Sequence, residues 1–167
     1  MPRRVRHTRH LTAYHGTTSR VADALLEGRA PEYRRVFVDA NVSLGGTYLA
    51  KSLPLARVCA EQAACELGGR PVVLEVRVRA GELLPDEDWV VGESRLPEST
   101  PRAQAFLDDL FVGYLGDGWS LSDHYKARYD ELNARHGISW RDSWNRDGTA
   151  RLGRLLRPED VLAAVGY

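Results

Sequence analysis

The stretch PVVLEVRV, residues 71 to 78, constrains the fold more than any other segment. Leu74, Val76 and Val78 alternate with Glu75, Arg77 and Arg79, so a β-strand here buries one face and turns the other outward. Gly68 and Gly69 stand just before the strand and end a helical pattern. Ser52 caps the start of that helix, Pro54 lies near its first turn, and Leu55, Val58, Cys59, Gln62 and Ala63 run down one face.

Upstream the same sequence of elements is found. HLTAYHG, residues 10 to 16, reads as a short strand, and Thr17, Thr18 or Ser19 can cap a helix. Val21, Ala22, Leu25 and Leu26 form one side of that helix, and Gly28 suits its exit. An irregular loop follows, with a short strand at Val36 to Val38, and then GTYLA as a second strand-like piece. Downstream, LLPDEDWV reads as a loop with a short extended segment, and Glu93 to Arg102 as an exposed connector. Ala103, Phe106, Leu107, Leu110, Phe111 and Tyr114 make the apolar stripe of a further helix. Tyr125, Tyr129 and Leu132 share a face of another, from about Ser122 to His136, which Gly137 stops. The tail holds a strand, a Pro-led turn, and a final strand or short helix. The class is mixed α+β, with residues 93–146 a mostly helical insert. The 167 residues are enough for one core and too few for two, so a single domain is expected.

The formal net charge is +0, which leaves no global field to gather nucleic acid or a membrane. A local bias remains: Arg3, Arg4, Arg6 and Arg9 make residues 1–10 a basic arm, expected to be flexible. No run of eighteen apolar residues exists and no apolar segment follows the basic start, so neither a membrane span nor a secretory signal is expected, and the chain reads as a cytoplasmic monomer. Cys59 and Cys65, six residues apart on one helix, cannot pair within it and read as small buried apolar residues. His7, His10, His124 and His136 show no metal-ligand spacing, and no metal is expected. Trp119, Trp140 and Trp144 read as packing or rim aromatics.

Three segments carry the remaining signal: YHGT at Tyr14 to Thr17, GGTYLAKSLPLARVCA at Gly45 to Ala60, and the strand from Pro71. In this order they resemble the ADP-ribosyltransferase superfamily, in the branch related to poly(ADP-ribose) polymerases and diphtheria toxin. The resemblance covers residues 11 to 88 and, loosely, the last twenty. It implies two small, mostly antiparallel sheets around an NAD cleft, with flanking helices. It also implies NAD as substrate, mono-ADP-ribosyl transfer to a protein or nucleic-acid acceptor, release of nicotinamide, and the setting of a phage or bacterial effector. His15 would contact the adenosine-ribose hydroxyls, Gly16 would offer its backbone to the nicotinamide amide, and Tyr48 would stack on that ring. Thr17 is either a second ribose contact or the helix cap. Little chemical push is needed, because nicotinamide leaves as a neutral molecule from an oxocarbenium-like transition state.

Two positions depart from the family pattern. Ala56 stands where a serine bonds the nicotinamide amide. No glutamate opens the late strand: Thr149 falls there, with Asp147 two residues earlier, and Glu131 and Asp142 are remoter carboxylates. These departures leave two alternatives open: an RNA 2′-phosphotransferase-like, NAD-consuming enzyme, for which Arg34, Arg35, Arg151 and Arg154 are the available cations, and a catalytically inactive domain that binds NAD or ADP-ribose.

Overall fold

The computed structural model describes residues 9–31, 46–86, 101–111 and 121–165. The strand expected at Val36 to Val38, most of the connector from Glu93, the side chains of Phe111 and Tyr125, and residues Tyr114, Trp119, Arg34 and Arg35 lie outside that description, as does the arm before Arg9. Six strands form one antiparallel sheet: β1 (His10–Thr18), β2 (Thr47–Ala50), β3 (Pro71–Arg79), β4 (Leu83–Leu84), β5 (Thr149–Leu152) and β6 (Val161–Val165). Their order is β4-β5-β2-β1-β3-β6. The helices are α1 (Ser19–Leu26), α2 (Leu53–Leu67), α3 (Pro101–Phe111), α4 (Leu121–Arg135) and α5 (Trp140–Arg146).

The two expected sheets are therefore one, and the reason lies at its centre. β1 pairs with β3 over nine residues and β2 with β5 over four, but β1 and β2 register at a single pair, Tyr14↔Ala50. The halves β4-β5-β2 and β1-β3-β6 are joined there.

The faces of the sheet pack differently. On one, Ala13, Leu74, Val76 and Val78 meet Val21, Ala22 and Leu25 of α1 and Trp144 of α5. On the other, Ala50 and Val73 meet Ala56 and Ala60 of α2. The buried side of α2 is thus the alanine row Ala56, Ala60 and Ala63, while Val58, expected on that side, is 61% exposed. The cause is a close approach. A Cβ built on Gly16 would sit 2.2 Å from the carbonyl oxygen of Ala56 and 2.6 Å from the amide of Ala60. The helix axis lies so near β1 that only glycine beneath it and alanine above it fit. Cys65, expected to be buried, is exposed, and Cys59 is half-buried. Leu26 likewise turns outward at 51% exposure, because α1 buries Ala24 and Leu25 instead.

Helices α3 and α4 build a second small core from Ala103, Phe106, Leu110, Tyr129, Leu132 and Ile138. Phe106 meets Tyr129 edge-on at 5.4 Å, and the Tyr129 hydroxyl donates to the Asp86 carbonyl beyond β4. Helix α5, not anticipated as a separate element, is set by a capping box. The Ser139 amide donates to the Asp142 carboxylate, and Arg102 bonds the same carboxylate from α3.

The α2–β1 contact predicts a specific sensitivity. Gly16→Ala should destabilise the fold by about 1–3 kcal/mol, since the new methyl meets helix backbone that cannot step aside. Gly81→Ala, where a Cβ would meet nothing within 4 Å, should lie close to wild type in chemical denaturation. Equal midpoints for the two variants would show that α2 does not pack as described.

Candidate functional site

The direction of each backbone group at the junction follows from the ladder. Ala80 donates its amide to the Arg9 carbonyl at 2.9 Å and Ser19 donates to the Arg70 carbonyl at 2.8 Å. Both pairs continue the unbroken β1–β3 register, so the odd-numbered residues of β1 bond to β3. The even-numbered ones, Tyr14 and Gly16, point their N–H and C=O toward β2. On β2, Lys51 donates to the Gly148 carbonyl, which makes residues 49 and 51 face β5 and residues 48 and 50 face β1. Tyr14 meets Ala50, but Gly16 and Tyr48, next in line, are not a registered pair. The His15 ring reaches across instead, with Nδ1 3.0 Å from the Tyr48 carbonyl oxygen.

That contact fixes the imidazole. A carbonyl only accepts, so Nδ1 carries the proton and donates it, which leaves Nε2 as an acceptor in the neutral ring. Burial holds the His15 pKa below its ordinary value, and the bond to Tyr48 offsets this only in part. His15 is mid-strand, not at the strand's lip, because β1 continues to Thr18. By alternation its side chain leaves on the α1 and α5 face, and that of Tyr48 on the α2 face with Ala50. The two residues thus flank the end of the β1–β2 pairing, the β1–β2 notch, from opposite sides and are linked through the Tyr48 carbonyl.

The other expected positions divide. Thr17 is buried in β1, and Thr18, not Thr17, occupies the N-cap of α1, without a side-chain cap bond. Ala56 is fully buried against β1. Thr149 opens β5 and pairs with Ala50, one residue pair from the junction. Asp147 lies on the surface at the end of α5, 3.5 Å from the Arg146 Nε. Glu131 pairs with Arg135, and Asp142 is held in the α5 cap.

Sequence reasoning passed over Asp130. Its Oδ1 lies 2.5 Å from the guanidinium of Arg151, which is 4% exposed and stands opposite Tyr48 in the β2–β5 register. Nothing in the α4 pattern marks this residue, because the pairing depends on how the helical insert folds back over β5. Arg154, the other late arginine, is clamped by Glu82 and Asp160 at 3.0 and 2.6 Å. Asp160 is held below the usual carboxylate range by Arg154 despite its burial. Cys59 lies beside Gly16, and burial and the nearby Asp86 push its thiol up, away from the thiolate form.

Gly46, in the second segment, is also fixed by the fold. It takes φ +89°, and a Cβ there would lie 2.3 Å from the Leu152 carbonyl. Among the described residues no three His, Cys, Asp or Glu side chains group to hold a metal ion, and no helix is long and apolar enough to cross a membrane. Comparison of the chain with models of protein families, with curated protein sequences and with solved structures finds no match.

The half-buried, neutral His15 gives a pH dependence of known sign. Its folded pKa lies below the unfolded value of 6.5, so the unfolded chain binds the proton more tightly. The stability from this residue is present above that value and is lost as pH falls through it toward the folded pKa. His15→Asn can still donate to the Tyr48 carbonyl and does not titrate. Between about pH 8 and 5.5 it should flatten the fall in stability relative to wild type; parallel curves would show that His15 is not held neutral.

Proposed function

We propose that the chain is an NAD-dependent mono-ADP-ribosyltransferase that uses the β1–β2 notch to hold the dinucleotide. What carries this reading is the edge of β1 at Gly16. Its N–H and C=O point into the gap where pairing with β2 has stopped, and an amide such as that of nicotinamide needs one donor and one acceptor side by side. The resemblance of YHGT and GGTYLA to that superfamily supplies the ligand's identity. His15 Nε2 is then an acceptor for a ribose hydroxyl, and Tyr48 offers its ring on the side of Gly16. The missing Cβ of Gly16 is taken up by α2, so the ligand approaches in the plane of the sheet and not over its face.

In the reaction the bond between the nicotinamide nitrogen and the ribose anomeric carbon breaks. Nicotinamide departs with the electron pair and is thereby neutralised. A nucleophilic atom of the acceptor bonds to the anomeric carbon and loses a proton. The protein's tasks are to orient the two rings and to place negative or hydrogen-bonding groups near the developing cation. Thr149 supplies a hydroxyl one pair from the junction, whereas Asp130 brings a carboxylate to the β5 side through Arg151. Asp147, at the surface, is the least suited of the three by position.

Two readings compete. A domain that binds NAD or ADP-ribose without turnover is favoured by Thr149, which cannot ionise where a glutamate is expected. The 2′-phosphotransferase reading loses support, because Arg151 and Arg154 both hold carboxylates instead of lying open to a phosphate.

His15→Ala and Tyr48→Ala should each weaken NAD binding by roughly tenfold and abolish nicotinamide release, measured by calorimetry and by product analysis. Unchanged binding in both would sink the proposal. Among Asp130→Asn, Thr149→Ala and Asp147→Ala, the residue that steadies the cation should lower kcat by about 10²-fold with little change in NAD affinity. NAD binding in a wild-type chain that releases no nicotinamide would establish the non-catalytic reading.

A further inference from the structure

Tyr48, Ala50, Thr149 and Arg151 share one face of the β2–β5 pair, and of these only Arg151 carries a charge. It stands directly across from Tyr48. Residues 49 and 51 of β2 bond to β5, so Tyr48 and Arg151 are a non-hydrogen-bonded pair. In such a pair the opposed side chains come closest, with Cβ atoms about 4.5–5.5 Å apart. Leu84 of β4 flanks Arg151 on its other side.

The two partners of the ion pair are placed unequally. The Arg151 side chain is 4% exposed, whereas that of Asp130, which holds its guanidinium from α4, is 51% exposed. The cation therefore lies within the sheet face beside Tyr48, and the anion lies toward solvent. A guanidinium does not shed its proton, so burial cannot neutralise Arg151. The charge felt beside the Tyr48 ring depends on the carboxylate that answers it. That carboxylate comes from the helical insert, whose core of Phe106, Leu110, Tyr129 and Leu132 is separate from that of the sheet.

We propose that the Asp130–Arg151 pair determines which redox form of the dinucleotide the notch accepts. The inference rests on the NAD reading, in which the nicotinamide ring stacks on Tyr48. The oxidised ring carries a positive charge and the reduced ring is neutral. An unanswered Arg151 beside Tyr48 would repel the first, by about tenfold in affinity, and would leave the second almost untouched. Asp130 cancels that repulsion and admits the oxidised ring. The selection suits the chemistry, because only the oxidised ring can depart with an electron pair and become neutral by doing so. Both residues act through their field on the ring and need not touch it.

The test measures the affinities of the full chain for NAD and for NADH by calorimetry and compares their ratio among variants. Asp130→Asn should weaken NAD by about tenfold and NADH far less. Arg151→Met should move the ratio the other way, toward NAD, by a smaller factor, because the carboxylate it leaves behind is half exposed. The double variant should return the ratio close to wild type, since both charges are then gone. Damage to the fold alone would move the single variants in the same direction or weaken both ligands alike. Either of those results, or unchanged ratios, would overturn the inference. So would a loss of kcat in Asp130→Asn with NAD affinity intact, which marks a group that steadies the cation instead. Failure of the NAD reading appears in the wild-type chain as no binding of either dinucleotide, whereas failure of this inference appears only in the variants. If Asp130→Asn does not fold, Arg151→Met and the double variant carry the test.

Discussion

The bond from the His15 ring to the Tyr48 carbonyl stands at the point on which the sheet depends. Where two strands would ordinarily continue their ladder, one side chain replaces a backbone partner. The substitution satisfies a carbonyl that would otherwise lose its hydrogen bond as the strands part. It keeps the two halves of the sheet as one structure while leaving the Gly16 edge without a registered neighbour. A half-buried, neutral imidazole suits this task because it donates from one nitrogen and keeps the other as an acceptor.

Helix α2 supplies the complementary constraint. Its alanine row rests on Gly16 so closely that a methyl group would overlap helix backbone. The two glycines most prominent in the motif segments, Gly16 and Gly46, are thus demanded by packing and backbone conformation at their own positions. Their presence alone is no evidence of a ligand. What bears on function is the direction of the Gly16 peptide groups, which packing does not dictate.

Much of this was legible in the sequence, and the failures have physical causes. The alternation in PVVLEVRV and the caps at Ser52 and Gly68 located β3 and α2 well, because local periodicity and end signals act within a few residues. The buried side of α2 was misread at Val58, where apolar size pointed inward, while the short distance to β1 selects Ala56 and Ala60; Leu55 and Ala63 do pack on that side. Two sheets were expected where there is one, because the single long-range strand pair Tyr14↔Ala50 that joins the halves leaves no local mark. Asp130 was missed for the same reason: its partner Arg151 is 21 residues away and is reached only after the helical insert folds over β5. His15, Gly16 and Tyr48, singled out in the sequence as cofactor contacts, meet at the β1–β2 junction, though the side chains of His15 and Tyr48 leave on opposite faces.

The central claim is that the β1–β2 notch receives the nicotinamide end of NAD through the Gly16 backbone. Titrating NAD into the isotope-labelled protein and following the backbone amides by NMR tests it most directly. The account predicts that the Gly16 amide shifts most, with Tyr48 and His15 next, and that the amides around Trp140 and Trp144 stay in place. No saturable shift at Gly16, or a response centred on Trp140 and Trp144, would contradict it.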